Sequence, residues 1–229
     1  MVPTAVIVGA STGIGLALAR RLTTAGWSVT GLARSAAGFE HERYRHVLAD
    51  VRDASYRAVL AAACDRLPDV CVYATGIGHE LDFAQVTRES DVFTTNLTGA
   101  VITAEVLLPR MIDARAGHLI GISSQADRLV DRYAPSYAAS KAGLSSYFEG
   151  LALACRPYGV AITNVRFGFV DTAMAKAPGP KPFMVSADRA AQVIESCIRR
   201  RPIRKTFPLR MAALLWFFRL PTRLRIWFS

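Results

Sequence analysis

Short apolar runs alternate with amphipathic stretches along most of this chain. The apolar runs are typical of strands buried in a parallel sheet, and they lie at about 4–8, 28–32, 46–48, 70–74, 118–123 and 160–166. The stretches between them predict helices over about 13–25, 54–66, 89–113, 135–157 and 187–201. Strands that alternate with helices predict a single α/β domain of the Rossmann type, a doubly wound parallel sheet with helices on both faces.

Several residues indicate where the predicted helices begin and end. Gly26 is expected to stop the first helix, because glycine readily adopts the left-handed backbone of a helix end. Pro135 suits a first helical turn, and Ser186 suits an N-cap. Pro109 is expected to kink or shorten the helix over 89–113.

The composition is that of a globular protein that works in a reducing compartment. The 229 residues are 52% apolar and 20% charged. The four cysteines are widely spaced and the four histidines are scattered, which predicts neither a disulfide framework nor a metal site. The N-terminal residues lead directly into a strand with no signal sequence, so we expect a cytoplasmic protein.

The net charge of +10 comes from the end of the chain. Nine of the 28 basic residues lie from Arg199 onward, where there is no acidic residue. The rest of the chain is nearly neutral, which argues against a nucleic-acid binder. We therefore separate a Rossmann-type domain over 1–205 from a basic, apolar segment over 206–229.

That C-terminal segment has two possible uses. Its uncharged apolar run, Met211–Phe218, is eight residues long and too short to span a bilayer. Together with Trp216, Trp227 and the flanking arginines, it suits an amphipathic segment that lies on an anionic membrane surface. The alternative is a helix that packs on its own fold or on a partner subunit and covers the substrate mouth.

A glycine-rich loop follows the first predicted strand and opens the first helix. It reads Gly9-Ala10-Ser11-Thr12-Gly13-Ile14-Gly15. Glycines permit a tight turn and close approach to a pyrophosphate, and the helix N-terminus supplies free N–H groups and a partial positive charge. The loop predicts a dinucleotide-binding site, with a plain turn as the alternative.

Tyr137 and Lys141 are four residues apart, so on a helix they share one face. An ammonium about 4 Å from a phenol, at an effective dielectric of about 20, is worth about 4 kcal/mol, or about 3 pKa units. That shift would let the phenol act as a general acid or base near neutral pH. Such pairs also occur on helices without any chemistry.

Ser124 lies thirteen residues before Tyr137, and Asn96 lies in the preceding predicted helix. With the glycine loop and the Tyr137–Lys141 pair, these residues resemble the short-chain dehydrogenase/reductase family over about residues 4–200. The resemblance implies an oxidoreductase that uses NAD(P) and interconverts a carbonyl and an alcohol by hydride transfer.

The resemblance also implies a role for each residue. Tyr137 would exchange a proton with the substrate oxygen, and Ser124 would hold that oxygen. Lys141 would lower the phenol pKa and bind the nicotinamide ribose, and Asn96 would extend the proton relay through a water. Ser123 competes with Ser124, but adjacent strand residues face opposite ways, so only one can face the site.

Other residues match the family less specifically. Asp50 and Val51 resemble residues at the adenine ring, and Thr172 resembles a threonine near the nicotinamide carboxamide. A surface charge and a helix cap are the alternatives for Asp50 and Thr172. The sequence departs from the family where Tyr73-Ala74-Thr75-Gly76 replaces Asn-Asn-Ala-Gly, and where Phe167-Gly168 replaces Pro-Gly.

The second predicted strand indicates which cofactor is used. It ends in Arg34-Ser35 without the acid that would hold a ribose 2′-hydroxyl. A guanidinium with a nearby hydroxyl suits a 2′-phosphate, so we predict that NADP(H) is preferred over NAD(H). The alternative is a plain surface arginine.

Residues 173–184 form a predicted substrate loop that is rich in Pro and Gly and can act as a lid. Its apolar residues favour a hydrophobic small-molecule substrate.

Family resemblance implies a homodimer or homotetramer through the helices around 90–113 and 135–157. Two other functions stay open: a non-catalytic cofactor sensor or scaffold on the same fold, and an adaptor that binds membrane or nucleic acid through the basic tail.

Overall fold

The structure is a computed structural model that describes residues 2–176 and 179–215. Seven parallel strands form the main sheet, in the order β3-β2-β1-β4-β5-β6-β9. They are β1 (Thr4–Val8), β2 (Ser28–Ala33), β3 (Tyr44–Leu48), β4 (Val70–Tyr73), β5 (His118–Ser124), β6 (Ala161–Phe167) and β9 (Arg204–Phe207). Two further short strands, β7 (Val170–Asp171) and β8 (Val185–Ser186), pair with each other.

The main helices are α1 (Gly13–Thr24), α2 (Tyr56–Ala63), α3 (Glu89–Phe93), α4 (Gly99–Asp113), α5 (Pro135–Cys155) and α6 (Ala187–Arg200). One hydrophobic cluster joins α2, α4 and α5 to one face of the sheet, and a second joins α1 and α6 to the other face. Alternate residues of β1 divide between them, with Val6 and Val8 in the first cluster and Ala5 and Ile7 in the second. The predicted doubly wound α/β fold is confirmed.

The centre of the sheet is the point where its winding reverses. β1 pairs with β2 on one side and with β4 on the other. The chain therefore leaves the carboxyl ends of β1 and β4 in opposite directions, and a crevice opens between the two loops. Ligands of doubly wound sheets bind in such crevices.

The helix boundaries follow the local signals in the sequence. The amides of Gly26 and Trp27 donate to the carbonyls of Thr23 and Leu22, which closes α1 with a left-handed glycine at φ 88°. Pro135 occupies the first turn of α5. The Ser186 hydroxyl accepts from the Arg189 amide at 3.1 Å and caps α6.

Two features differ from the sequence-based expectations. Pro109 lies inside α4 and does not shorten it, since the helix continues to Asp113. The irregularity lies upstream, where a π-turn over Thr94–Thr98 separates α3 from α4. In addition, the sequence predicts no strand after 160–166, whereas β9 pairs with β6 as the seventh strand of the sheet.

Within the described residues, one helical stretch, Phe83–Asp113, is long and apolar enough by length and composition to cross a membrane. Half of its most apolar window is buried inside the fold. Leu107 and Met111 of α4 pack in the core and are fully buried. Because a core helix passes the same test, this stretch is weak evidence for a membrane span.

His118 at the start of β5 makes the fold sensitive to acid. Its Nε2 lies 2.8 Å from the Thr163 hydroxyl, and burial, with a smaller contribution from Arg201, lowers its pKa from 6.5 to about 4. Between these two values the unfolded chain binds a proton that the folded chain does not. We expect the free energy of unfolding to fall by on the order of 3 kcal/mol as pH falls from about 6.5 to 4.

Urea unfolding of the parent and of His118→Gln at several pH values checks this expectation. The variant should show a shallower fall in unfolding free energy across that window. The same fall in both proteins would contradict the assignment to His118.

Candidate active site

The glycine loop lies at the carboxyl end of β1, beside the loop that follows β4. Gly9 has a φ of 93°, and a Cβ at this position would lie 2.6 Å from the backbone nitrogen of Thr75. Only glycine fits both the left-handed backbone and this close approach. The glycine loop and the β4 loop are therefore in contact at the crevice.

The start of α1 is suited to bind an anion. Thr12 has an extended backbone at the N-cap, and its side chain makes no capping hydrogen bond. The first turn of a helix leaves N–H groups without helical partners, which a phosphate can accept. Thr172 lies against this turn, because a Cβ at Gly13 would be 3.1 Å from its Cγ2. The Ile14 side chain packs against the core.

Arg34 and Ser35 lie at the end of β2, next to the glycine loop. The Ser35 hydroxyl is 3.3 Å from the Ser11 hydroxyl. Arg34 and Asp50 line the same cavity, of about 350 Å³, at this edge of the sheet. The pKa of Asp50 is lowered mainly by its hydrogen bonds to Arg52, with a smaller effect of the Arg34 charge. The Val51 side chain, which follows Asp50 at this edge, is buried.

These features fit a dinucleotide that carries a 2′-phosphate. The N-terminus of α1 can hold the pyrophosphate, and Arg34, Ser35 and Ser11 offer a cation and two hydroxyls beside it. Asp50 is already paired with Arg52 at 2.8 Å and is partly buried. It is therefore more than a free surface charge.

Ser124 and Tyr137 meet at the carboxyl end of β5. Ser124 is the last residue of β5, Tyr137 lies in the first turn of α5, and Ser124 is close enough to the phenol to lower its pKa. Ser123 faces the other way, since its hydroxyl donates to the Lys141 carbonyl at 3.0 Å and lies 2.8 Å from the Ser145 hydroxyl. As alternation along a strand predicts, only one of the two serines faces Tyr137.

Lys141 is buried beneath the tyrosine. Its Nζ donates to the Ile122 carbonyl at 3.0 Å and lies 5.8 Å from the centre of the Tyr137 ring. Burial lowers the Lys141 pKa from 10.5 to about 8. This lysine therefore begins to lose its proton at a pH just above neutral, much lower than an exposed lysine would. Such a pKa suits a group that transfers protons.

The phenol itself differs from the sequence-based expectation. Burial raises the pKa of Tyr137, and the hydrogen bond with Ser124 lowers it by less. The expected lowering by Lys141 is not seen, because the ammonium is directed at the Ile122 carbonyl and is itself hard to keep charged in a buried position. In this state Tyr137 is a protonated acid.

Asn96 lies in the π-turn and is fully hydrogen-bonded. Its Oδ1 accepts from the Ile77 amide at 2.8 Å, and its Nδ2 donates to the Ile77 carbonyl at 2.8 Å and to the Ser140 hydroxyl at 3.0 Å. A Cβ at Gly76 would lie within 3.3 Å of both Asn96 Oδ1 and Lys141 Nζ, so the two side chains converge there. Both side-chain donors of Asn96 are therefore used within the fold.

Sequence reasoning missed the glycines that make room for this arrangement. Gly76 and Gly78 lie in the loop that follows β4. A Cβ at Gly78 would lie 2.7 Å from the ring of Tyr137. No signal in the sequence alone shows this contact, because Gly78 and Tyr137 are distant along the chain.

Tyr73 explains how the chain tolerates its first departure from the family pattern. Its hydroxyl donates to the Thr95 carbonyl at 2.5 Å and so braces the π-turn that carries Asn96. The ring fits because Gly99 has no side chain, since a Cβ there would lie 2.3 Å from the Tyr73 hydroxyl. The tyrosine thus supports the same turn from inside the core.

The C-terminal segment begins as a wall of the site. At the second departure, Gly168 donates its amide to the Phe207 carbonyl at 3.0 Å, which extends the pairing of β6 with β9. The Pro208 carbonyl accepts from Gln125 Nε2 at 3.1 Å, and Met211 is buried against Gly168. Residues 209–215 are helical, and Trp216 and Trp227 lie outside the described residues.

The predicted substrate loop is closed at its base by the β7–β8 pair, which joins Val170 to Val185. Met174, Phe183 and Met184 are exposed apolar residues of this loop. The rest of the lid prediction falls partly on residues 177–178, outside the described part. No group of His, Cys, Asp and Glu within the described residues is arranged to hold a metal ion.

Comparisons with known proteins identify the family of the chain. The family model "short chain dehydrogenase" matches residues 3–182. A relative from Myxococcus xanthus, an "uncharacterized oxidoreductase", is 29% identical over 96% of this chain and 90% of its own length. The 3-oxoacyl-[acyl-carrier-protein] reductase FabG of Vibrio cholerae is 30% identical over 76% of this chain and 75% of its own.

Solved structures share the fold. A short-chain dehydrogenase from Streptomyces avermitilis superposes with a TM-score of 0.82 at 22% identity, over 99% of this chain and 96% of its own. A short-chain dehydrogenase from Sphingobium yanoikuyae, solved in complex with NADPH, superposes with a TM-score of 0.82 at 21% identity, over 100% of this chain and 96% of its own.

The tight fit of Tyr73 against Gly99 makes a stability prediction. Gly99→Ala should cost about 1–3 kcal/mol, because the new Cβ would overlap the buried Tyr73 hydroxyl and approach Val51 at 2.9 Å. Gly150→Ala is the control, since a Cβ in that part of α5 meets nothing within 4 Å.

Urea unfolding measures both changes. Combining Gly99→Ala with Tyr73→Phe should cost less than the sum of the single variants, because the clash is removed. A loss of unfolding free energy equal to the sum would show that the two residues are not in steric conflict.

Proposed function

Because the chain belongs to the short-chain dehydrogenase family of NAD(P)-dependent oxidoreductases that act on CH–OH groups, we propose that it interconverts a carbonyl and an alcohol with NADP(H), using Ser124, Tyr137, Lys141 and Asn96. The observation that carries the proposal is the convergence of Ser124, Tyr137 and Lys141 beside the glycine loop. A cofactor sensor or scaffold would not require this set of proton-transferring groups.

In the direction of reduction, the Ser124 hydroxyl donates a hydrogen bond to the carbonyl oxygen of the substrate. The Tyr137 phenol gives its proton to the same oxygen as negative charge develops there. When bound, the nicotinamide supplies the hydride that reduces the carbonyl carbon. Tyr137 suits this role because its raised pKa keeps it protonated.

Lys141 then returns a proton to the phenolate. Its lowered pKa of about 8 makes the ammonium a ready donor, and its buried position excludes solvent as a competing partner. Behind it, the backbone of the π-turn around Asn96 connects the site to bulk water through a relay. In the oxidative direction each proton moves the opposite way.

For cofactor binding, Gly9, Ser11, Thr12, Gly13, Ile14 and Gly15 would hold the pyrophosphate. Asp50 and Val51 would lie at the adenine, Thr172 at the carboxamide, and Lys141 at the nicotinamide ribose. The preference for NADP(H) rests on Arg34 and Ser35, which stand where an NAD site would place an acid.

The substrate is proposed to be a hydrophobic carbonyl compound. Exposed apolar side chains of the 173–184 loop and of Leu209 support this, and one relative is named as a reductase of 3-oxoacyl groups. A screen of aldehydes, ketones and 3-oxoacyl thioesters with NADPH would identify the class. Turnover of polar carbonyls alone would contradict it.

The domain division, cytoplasmic location, homodimer or homotetramer, and peripheral membrane contact of the 206–229 segment stay predictions. The burial of Met211 against Gly168 supports packing of the segment on its own fold. Size-exclusion chromatography and co-sedimentation of the intact chain with anionic vesicles test the last two predictions. Failure to pellet with the vesicles would favour packing.

The role of Tyr137 has a direct test. Tyr137→Phe should lower kcat by at least about a thousandfold, because general acid catalysis and its coupled charge stabilisation are lost together. NADPH binding, measured by fluorescence titration, should stay within about twofold, since the ring is kept. Retained turnover in this variant would refute the mechanism.

The cofactor preference depends on one cation. Arg34→Ala should weaken NADPH binding by about tenfold or more and leave NADH binding nearly unchanged, because a charge-assisted hydrogen bond is worth about 1.5–3 kcal/mol. Arg20→Ala is a control, since Arg20 contacts Phe39 and Gly38 instead. Equal weakening of both cofactors would show that Arg34 does not read the 2′-phosphate.

A further inference from the structure

The turn that follows Ser124 contains a buried carboxylate with no role in the mechanism above. The Ser124 hydroxyl accepts from the Ala126 amide at 3.1 Å and opens a 3-10 turn over Gln125–Arg128. The third residue of this turn is Asp127, whose side chain is 4% exposed. A carboxylate rarely occupies such a position unless it is paired and hydrogen-bonded.

Arg166 on β6 is the charged partner of Asp127. Its Nε and Nη2 each lie 2.5 Å from one carboxylate oxygen, so the two groups meet as a fork. The remaining Nη1 donates to the Thr206 hydroxyl on β9 at 3.2 Å. The turn after Ser124 is thereby held down on the last two strands of the sheet.

The same carboxylate also reaches α5, the helix that carries Tyr137 and Lys141. The Ser145 hydroxyl donates to Asp127 Oδ2 at 2.6 Å and lies 2.8 Å from the Ser123 hydroxyl. Ser145 lies one turn after Lys141 on this helix. One carboxylate therefore connects the end of β5, the strand β6 and the catalytic face of α5.

A buried ion pair is weak evidence for stability by itself, because desolvation offsets most of the attraction. What such a pair does supply is a fixed geometry, since a two-pronged guanidinium contact allows one orientation of the carboxylate. Here the fixed group is three residues from the serine that must lie within hydrogen-bond reach of Tyr137.

We propose that Asp127, clamped by Arg166, is a positioning residue that sets Ser124 against Tyr137 by locking its turn to β6 and α5. The proposal rests on the proposed function of Ser124. Asp127 touches neither substrate nor cofactor in this role. It acts only through the serine.

A double-mutant cycle between Asp127→Asn and Ser124→Ala separates positioning from general support. In the parent background, Asp127→Asn should lower kcat by about tenfold or more, because a displacement of about 1 Å can cost up to about a hundredfold. In the Ser124→Ala background the same change should cost less than about twofold. The turnover assay uses NADPH with the best carbonyl compound from the screen.

Glu149→Gln is the matched control. Glu149 lies on α5 and bonds to Asn164 on β6 and Arg204 on β9, and neither of these hydrogen bonds reaches the turn after Ser124. It should change stability without changing kcat by more than about twofold. A loss in kcat as large as that of Asp127→Asn would contradict the proposal.

If Asp127→Asn does not fold, Ser145→Ala replaces it in the cycle. This change removes the hydrogen bond to α5 and keeps the ion pair. We expect kcat to fall by about threefold in the parent background and to stay unchanged in the Ser124→Ala background. A crystal structure of either variant should show Ser124 Oγ beyond hydrogen-bond reach of the Tyr137 hydroxyl. An unmoved serine would overturn the proposal without reference to turnover.

The outcomes also distinguish this inference from the proposed function. Full activity in Ser124→Ala alone would refute the role of the serine, and with it the mechanism. A large loss in Ser124→Ala combined with equal effects of Asp127→Asn in both backgrounds would refute only the positioning role.

Discussion

The parallel pairing of the seven-stranded sheet is the constraint on which everything else depends. Because all the strands run in one direction, segments far apart in sequence end at the same edge. That edge collects the glycine loop after β1, Arg34 after β2, Asp50 after β3 and Ser124 at the end of β5. The reversal of winding between β1 and β4 then separates the loops and leaves a crevice for the cofactor.

Most of the fold could be predicted from the sequence because its local signals agree with its global pattern. Buried strands of β-branched and aliphatic residues alternate with amphipathic helices, and Gly26, Pro135 and Ser186 mark boundaries that the structure confirms. The strand β9 was missed because its sequence, Arg-Lys-Thr-Phe, carries no apolar run. The expectation that Pro109 shortens its helix was wrong, because a proline in an otherwise favourable helix need not end it.

The site was predictable in part, and the limit is physical. Ser124, Tyr137 and Lys141 have a recognisable order and spacing, and strand alternation selects Ser124 over Ser123. Contacts between distant segments carry no such signal. The space left by Gly78 for the Tyr137 ring, the brace from Tyr73 to the π-turn and the Asp127–Arg166 pair all depend on tertiary packing. The direction of the Tyr137 pKa likewise depends on how deeply the phenol is buried.

The place of β9 in the chain bears on how the protein is made. Among the described strands it is the last to leave the ribosome, yet it pairs with β6 and carries Thr206, which contacts Arg166. The carbonyl that Gln125 binds, on Pro208, follows directly after it. During synthesis, the strands β1 to β6 emerge before the contacts that β9 makes beside Ser124 can form. A nascent chain arrested before β9 would therefore lack both the Thr206 contact to Arg166 and the Pro208 contact to Gln125, on the two sides of the turn that follows Ser124.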